Sequence, residues 1–139
     1  MYRYISIEGC IGAGKTSLSK KLANDLNALL ILEQFEDNAF LPKFYMNKDR
    51  YAFPLELSFL ADRFRQLKEK VINTDLFHQL IISDYIFPKS LIFARKTLAD
   101  DEYQLYLRLF SIIDANLPRP DLLVYLYASP EQLLKNIAI

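Results

Sequence analysis

The chain has 139 residues, with 17 basic and 17 acidic side chains, one cysteine, three glycines and 52% hydrophobic residues, which predicts one globular domain and excludes a disordered chain. Zero net charge with 24% charged residues argues against a broad electrostatic footprint on nucleic acid or on an anionic membrane, so any anionic partner has to be gripped locally. A lone Cys10 cannot close an internal disulfide, and no apolar run has the length of a signal-peptide core or a membrane span, so the expected compartment is the cytoplasm.

In chain order, Tyr2 to Glu8 alternates like a strand and Lys15 to Leu26 carries Leu18, Leu22, Ala23 and Leu26 at helical spacing. Ala28 to Leu32 is a short apolar run suited to a strand buried on both faces, with Glu33 at its carboxyl end. Arg50 to Val71 reads as a long helix with Pro54 near its first turn and an apolar stripe of Leu57, Leu60, Phe64, Leu67 and Val71. Leu80 to Ser83 is a third strand ending at Asp84, preceded by His78, which reads as a solvated side chain. Two helices follow, Ile86 to Leu98 and Asp101 to Asn116, the second dense in Tyr, Leu and Phe between 103 and 110 and broken by Leu117-Pro118-Arg119-Pro120. Leu122 to Tyr127 is a fourth strand, and Ser129-Pro130-Glu131 opens a last helix with an N-cap and a proline at its first position. Strands alternating with helices predict an α/β fold with a parallel sheet, and ligands beyond the carboxyl ends of its strands.

All three glycines fall in Gly9-Cys10-Ile11-Gly12-Ala13-Gly14-Lys15-Thr16, followed by Ser17. Glycines at the first and sixth positions, then Lys and Thr, match a phosphate-binding loop, and at average residue usage such a match arises by chance in roughly half a percent of chains this long. The chemistry follows from the geometry. Backbone N–H groups turn inward around a polyphosphate, the next helix aims its positive end at the anion, Lys15 adds a point charge and Thr16 a hydroxyl for Mg²⁺. A GTPase would need a further glycine in a switch segment, and none follows Gly14. Asp84, at a strand end, meets the need for a second acidic group that orders Mg²⁺ or its water, although a helix N-cap would also use it. Glu33, at another strand end, is the candidate base for a substrate hydroxyl. Glu56 and Arg63 are seven apart, two helical turns, and lie on nearly one face; the plain alternative for them is an exposed ion pair or a first-turn charge.

These residues resemble the deoxynucleoside kinases, most closely the bacterial deoxyguanosine and deoxyadenosine kinases, along the whole chain. Ile7-Glu8-Gly9 through Thr16 is similar to the family's Ile-Glu-Gly-x-Ile-Gly-Ala-Gly-Lys-Thr, and Ile82-Ser83-Asp84-Tyr85 and Leu117 to Leu122 extend the likeness. The resemblance implies a P-loop kinase fold of three layers, with ATP and Mg²⁺ as cofactors and a deoxynucleoside as substrate. It implies Glu33 as catalytic base beside Lys15, Tyr45 at the deoxyribose 3′-hydroxyl, Glu56 and Arg63 at the base, Asp84 near substrate and metal, Phe93 stacked on the base, and a homodimer built from the Tyr- and Phe-rich helices. The animal enzymes carry an Arg where this chain has Tyr85. In the family the last helix runs into an Arg-rich lid, a final strand and an adenine loop, so the resemblance predicts an enzyme about a third longer. Two other readings stand beside the kinase: a nucleotide-binding or dimerisation fragment without turnover, and a nucleoside monophosphate kinase.

Overall fold

The computed structural model describes residues 2–34, 37–71 and 80–138; His78 lies outside them. Along the chain run β1 (Tyr4–Gly9), α1 (Lys15–Asp25), β2 (Leu29–Ile31), α2 (Phe40–Met46), α3 (Lys48–Val71), β3 (Ile81–Ser83), α4 (Lys89–Thr97), α5 (Asp100–Asp114), β4 (Leu122–Leu126) and α6 (Pro130–Ala138). Contacts divide them into two compact units, one of Met1–Glu33, Asn73–Ile86 and Arg119–Ile139, the other of Gln34–Ile72 and Phe87–Pro118.

The first unit holds the expected parallel sheet, in the order β2-β3-β1-β4. Apolar side chains drive it: Ile7 of β1, Ile82 of β3 and Ala23 of α1 are buried together, with Leu18, Leu22, Leu30 and Val124 packed against them. Two buried serines sit in register on β1 and β3, and the hydroxyls of Ser6 and Ser83 satisfy each other at 2.7 Å. Asp121, just ahead of β4, accepts the backbone N–H groups of Arg3 and Tyr4 at 2.8 and 2.9 Å, which holds its carboxyl below the usual range. Most strand ends fall short of the sequence reading, although β1 runs on to Gly9. Tyr2, Leu32 and Tyr127 lie outside the sheet, and Leu26 is an exposed residue past the end of α1.

The second unit is helical. Leu55, Leu60 and Leu67 of α3, Ala94 of α4 and Tyr106 and Phe110 of α5 are buried, and Phe87 stacks on Phe110 with ring centroids 5.0 Å apart. The buried face of α3 runs through Ala52, Leu55, Glu56, Leu60, Arg63 and Leu67, so the expected stripe is rotated: Leu57 and Phe64 are only half-buried while two charged residues take core positions. Helix α3 starts at Lys48, two residues early, which puts Pro54 inside it rather than in its first turn. Its missing N–H leaves only the Arg50 carbonyl unserved, on an exposed residue that water can reach. Helix α4 begins at Lys89 rather than Ile86, behind Pro88. Helix α2 went unread: its seven residues are too short to show a period, Pro42 stands in its first turn, and none of its side chains is buried.

Candidate active site

In the first unit the parallel strands carry their carboxyl ends to one edge of the sheet, where Gly9 ends β1 and Glu33 and Asp84 come after β2 and β3. Each loop glycine has its own reason. A Cβ on Gly9, at φ +154°, would stand 2.7 Å from the Leu126 carbonyl oxygen on β4; Gly14, at φ +95° with open space around it, is there for the left-handed backbone that opens α1. Lys15 at the start of α1 lies 3.7 Å from Glu8 Oε1, and Glu8 Oε2 accepts the Ile86 N–H at 3.2 Å. Glu8 thus ties the phosphate-loop lysine to the turn after β3.

Asp84 is the organising group of this edge. Its Oδ2 accepts the Thr16 hydroxyl at 3.0 Å and its Oδ1 accepts the Glu33 N–H at 2.7 Å, so one carboxylate joins the first turn of α1 to the ends of β2 and β3. The hydroxyl and carboxylate form a hard oxygen pair of the kind Mg²⁺ takes together with substrate phosphates and water. No cluster of three or more His, Cys, Asp or Glu suited to a metal occurs among the described residues. Of the sequence-predicted residues, the structure brings Lys15, Thr16, Glu33 and Asp84 together here. Cys10, Ile11, Ala13 and Ser17 complete the loop and the first turn of α1, Cys10 and Ile11 both exposed.

The second unit brings Glu56 and Arg63 together on α3, both buried and both facing α4, not exposed as an ion pair. Arg63 Nη1 donates to Ser90 Oγ at 3.0 Å and stacks over Phe59 at 5.5 Å. The Thr97 hydroxyl stands 3.0 Å from both Glu56 Oε1 and the Phe93 carbonyl, so its single proton serves one at a time. Glu56 Oε2 is buried with no hydrogen-bond partner. Burial pushes the Glu56 carboxyl up, against the opposing pull of the Thr97 hydroxyl and the Arg63 charge. Beside it the buried Tyr106 hydroxyl makes no hydrogen bond of good geometry and is pushed up to about 12 by burial and by the Glu56 charge, against the weaker pull of the nearby Ser90 hydroxyl and the Arg63 charge. Arg63 also lines a cleft of about 420 Å³, with Asn38, Asp62 and Gln66. Tyr45 is exposed at the end of α2, and Phe93 is 43% exposed on the flank of α4, with Lys89 Nζ 5.7 Å from its ring.

Sequence reasoning missed Glu8 and Tyr106. Glu8 carried a signal, a charge at the end of a strand of otherwise uncharged residues, and so did Tyr106, a phenol on the apolar face of α5. Asn136 gave none: it is one polar residue on an exposed helix, yet its Nδ2 lies 2.6 Å from the Gly12 carbonyl oxygen.

A glycine-rich loop between the central parallel strand and a helix, with an acidic group at the next strand end, is the phosphate site of a P-loop fold. The family model for deoxynucleoside kinase matches residues 5–138, and the chain belongs to that family. It is 37% identical over 134 residues to the deoxyguanosine kinase of Bacillus subtilis (strain 168), covering 96% of this chain and 65% of the relative. It is 34% identical over 139 residues to the deoxyadenosine kinase of Dictyostelium discoideum, covering 98% and 56%. The chain thus spans less than two thirds of the length of these curated relatives. Among solved structures, deoxyadenosine kinase from M. mycoides with bound dATP is similar in fold, with a TM-score of 0.79 at 23% identity over 97% of this chain and 70% of that one. No helix among the described residues is long and apolar enough to cross a membrane.

Proposed function

We propose that the protein transfers the γ-phosphoryl group of ATP to the 5′-hydroxyl of a deoxynucleoside, with deoxyguanosine preferred among deoxypurines, both units serving one kinase domain. The observation that carries this reading is the Asp84 carboxylate, which holds Thr16 and Glu33 beside Lys15 and the glycine loop. The loop amides from Gly9 to Ser17 receive the phosphates, and Lys15 leaves Glu8 for them. Thr16 and Asp84 are the residues that would hold Mg²⁺, which would supply charge neutralisation for the phosphates. Glu33 takes the proton of the 5′-hydroxyl, whose pKa is far above neutral. Arg63, on the wall of the cleft, and Glu56 read the base. An ionised carboxylate offers acceptors only, which suits the adjacent N1–H and 2-amino donors of guanine. Tyr45 and Phe93, with exposed rings, are assigned to the sugar 3′-hydroxyl and the face of the base.

Helix α5 turns Leu105, Leu109 and Ile112 outward at spacings of four and three, each at least 37% exposed, and this apolar stripe is the proposed homodimer contact. The test of the activity is phosphoryl transfer from labelled ATP to the four natural deoxynucleosides and, in parallel, to their monophosphates. Transfer to deoxynucleosides, deoxyguanosine first, is expected. Transfer to monophosphates alone would make the protein a nucleoside monophosphate kinase, and nucleotide binding without transfer would make it a binding module.

A further inference from the structure

We infer that Asn136 is a positioning residue for the phosphate loop: from α6 it fixes the Gly12–Ala13 peptide, and with it the direction in which the loop offers its amide donors. The inference rests on the reading of Gly9–Thr16 as a nucleotide site. A carbonyl oxygen only accepts, so the side-chain nitrogen of Asn136 must be the atom 2.6 Å from the Gly12 oxygen. The other end of the same amide is held too, since Gln132 Nε2 lies 2.8 Å from Asn136 Oδ1. The Gly12 carbonyl and the Ala13 N–H belong to one planar trans peptide and point in opposite directions. The Ala13 N–H donates to the Cys10 carbonyl at 3.0 Å. Both poles of this peptide are therefore tied, one within the loop and one to α6.

Such a tether is needed because Gly12, at φ +86°, has more rotational freedom than any residue with a side chain. A side chain at position 12 could not act as the brake. Its Cβ would stand 3.0 Å from the Leu133 carbonyl oxygen and 3.1 Å from Ile137 Cγ1, so α6 sits close against the loop where glycine leaves room. The Ser129 hydroxyl fixes the start of that helix by accepting the Gln132 N–H at 3.2 Å. A Gly12 peptide released from Asn136 can turn its carbonyl oxygen toward an anion that the loop should meet with donors. The effect belongs to nucleotide affinity and not to the nucleoside.

The experiment measures equilibrium binding of a fluorescent ATP analogue, calorimetric binding of deoxyguanosine, and thermal unfolding, for wild type, Lys15→Ala, Asn136→Ala, Asn136→Asp and Asn136→His. Asn136→Ala should weaken nucleotide binding by about tenfold, the upper end of what one hydrogen bond contributes. Asn136→Asp, which sets a carboxylate against a carbonyl, should weaken it further, and Asn136→His, whose ring N–H has similar reach, should restore most of it. Deoxyguanosine binding should be the same in all the Asn136 variants. Nucleotide affinity equal to wild type in Asn136→Ala overturns the inference, as does a fall in melting temperature with affinity unchanged. If Lys15→Ala weakens binding while the Asn136 variants match wild type, the loop remains the nucleotide site and only this inference falls. A folded wild type that binds no nucleotide overturns both.

Discussion

Two carboxylates do most of the arranging around the phosphate loop, and only one of them was visible in advance. Asp84 stands after an apolar strand, where a metal-ordering acid is expected, whereas the partners of Glu8 at Lys15 and Ile86 can be named only once β1 and β3 lie side by side. Glu33→Gln keeps the shape of the proposed base and removes its basicity, so kcat should fall roughly 10²- to 10⁴-fold with a smaller change in deoxynucleoside KM. Steady-state kinetics decides it, and a change confined to KM would reassign Glu33 to substrate binding. Glu56 gives a pH prediction. Unfolded, its carboxyl titrates near the ordinary 4.5; folded, burial raises it, so the stability contributed by its neutral form is complete below the unfolded value and is lost as pH climbs through the folded one. Glu56→Gln cannot ionise, and urea unfolding across a pH series should show it losing less stability than wild type above pH 4.5. Parallel curves for the two proteins would place the Glu56 carboxylate in water.

The elements legible in the sequence were those whose burial is periodic and apolar. The parallel sheet and α1 came through because Ile7, Ile82 and Ala23 are apolar residues in apolar places. Helix α3 was found with Leu60 and Leu67 on its buried face as expected, but that face also takes in Glu56 and Arg63, which hydrophobicity alone sends to solvent. Local sequence preference gives way where a polar pair is retained for a task. The close approach of β1 to β4 was equally hidden, because the motif gives Gly9 a role toward phosphate while its neighbour in space is Leu126. Gly9→Ala should therefore lower stability, and not only phosphate affinity, by about 1 to 3 kcal/mol. Chemical denaturation without any nucleotide reads this directly, and a full-strength unfolding transition in the variant would contradict it.

At the scale of the whole molecule, the outward stripe of α5 is the face the proposed homodimer would cover. Leu109→Asp should shift sedimentation from dimer to monomer at micromolar concentration while leaving the melting of the monomer within about 0.5 kcal/mol, as for an exposed substitution. A wild type that sediments as a monomer throughout would remove the proposed contact. The sequence allowed this face to be core or interface alike, since both are apolar; the structure separates them, with Tyr106 and Phe110 inward and Leu105, Leu109 and Ile112 outward.

The position of β1 between β3 and β4 sets an order of events on the ribosome. Strand β1 is made before both of its neighbours, which begin at Ile81 and Leu122. At synthesis rates of about 5 to 20 residues per second, the first apolar strand waits several seconds for either partner, while α2 and α3 can pair from contacts close in sequence. The Asp121 clasp on Arg3 and Tyr4 becomes available only with β4, one residue ahead of it. The glycine loop, translated ahead of both neighbours of β1, thus acquires its working shape only after they arrive, and until then the nascent chain leaves a bare sheet-forming segment for chaperones to shield.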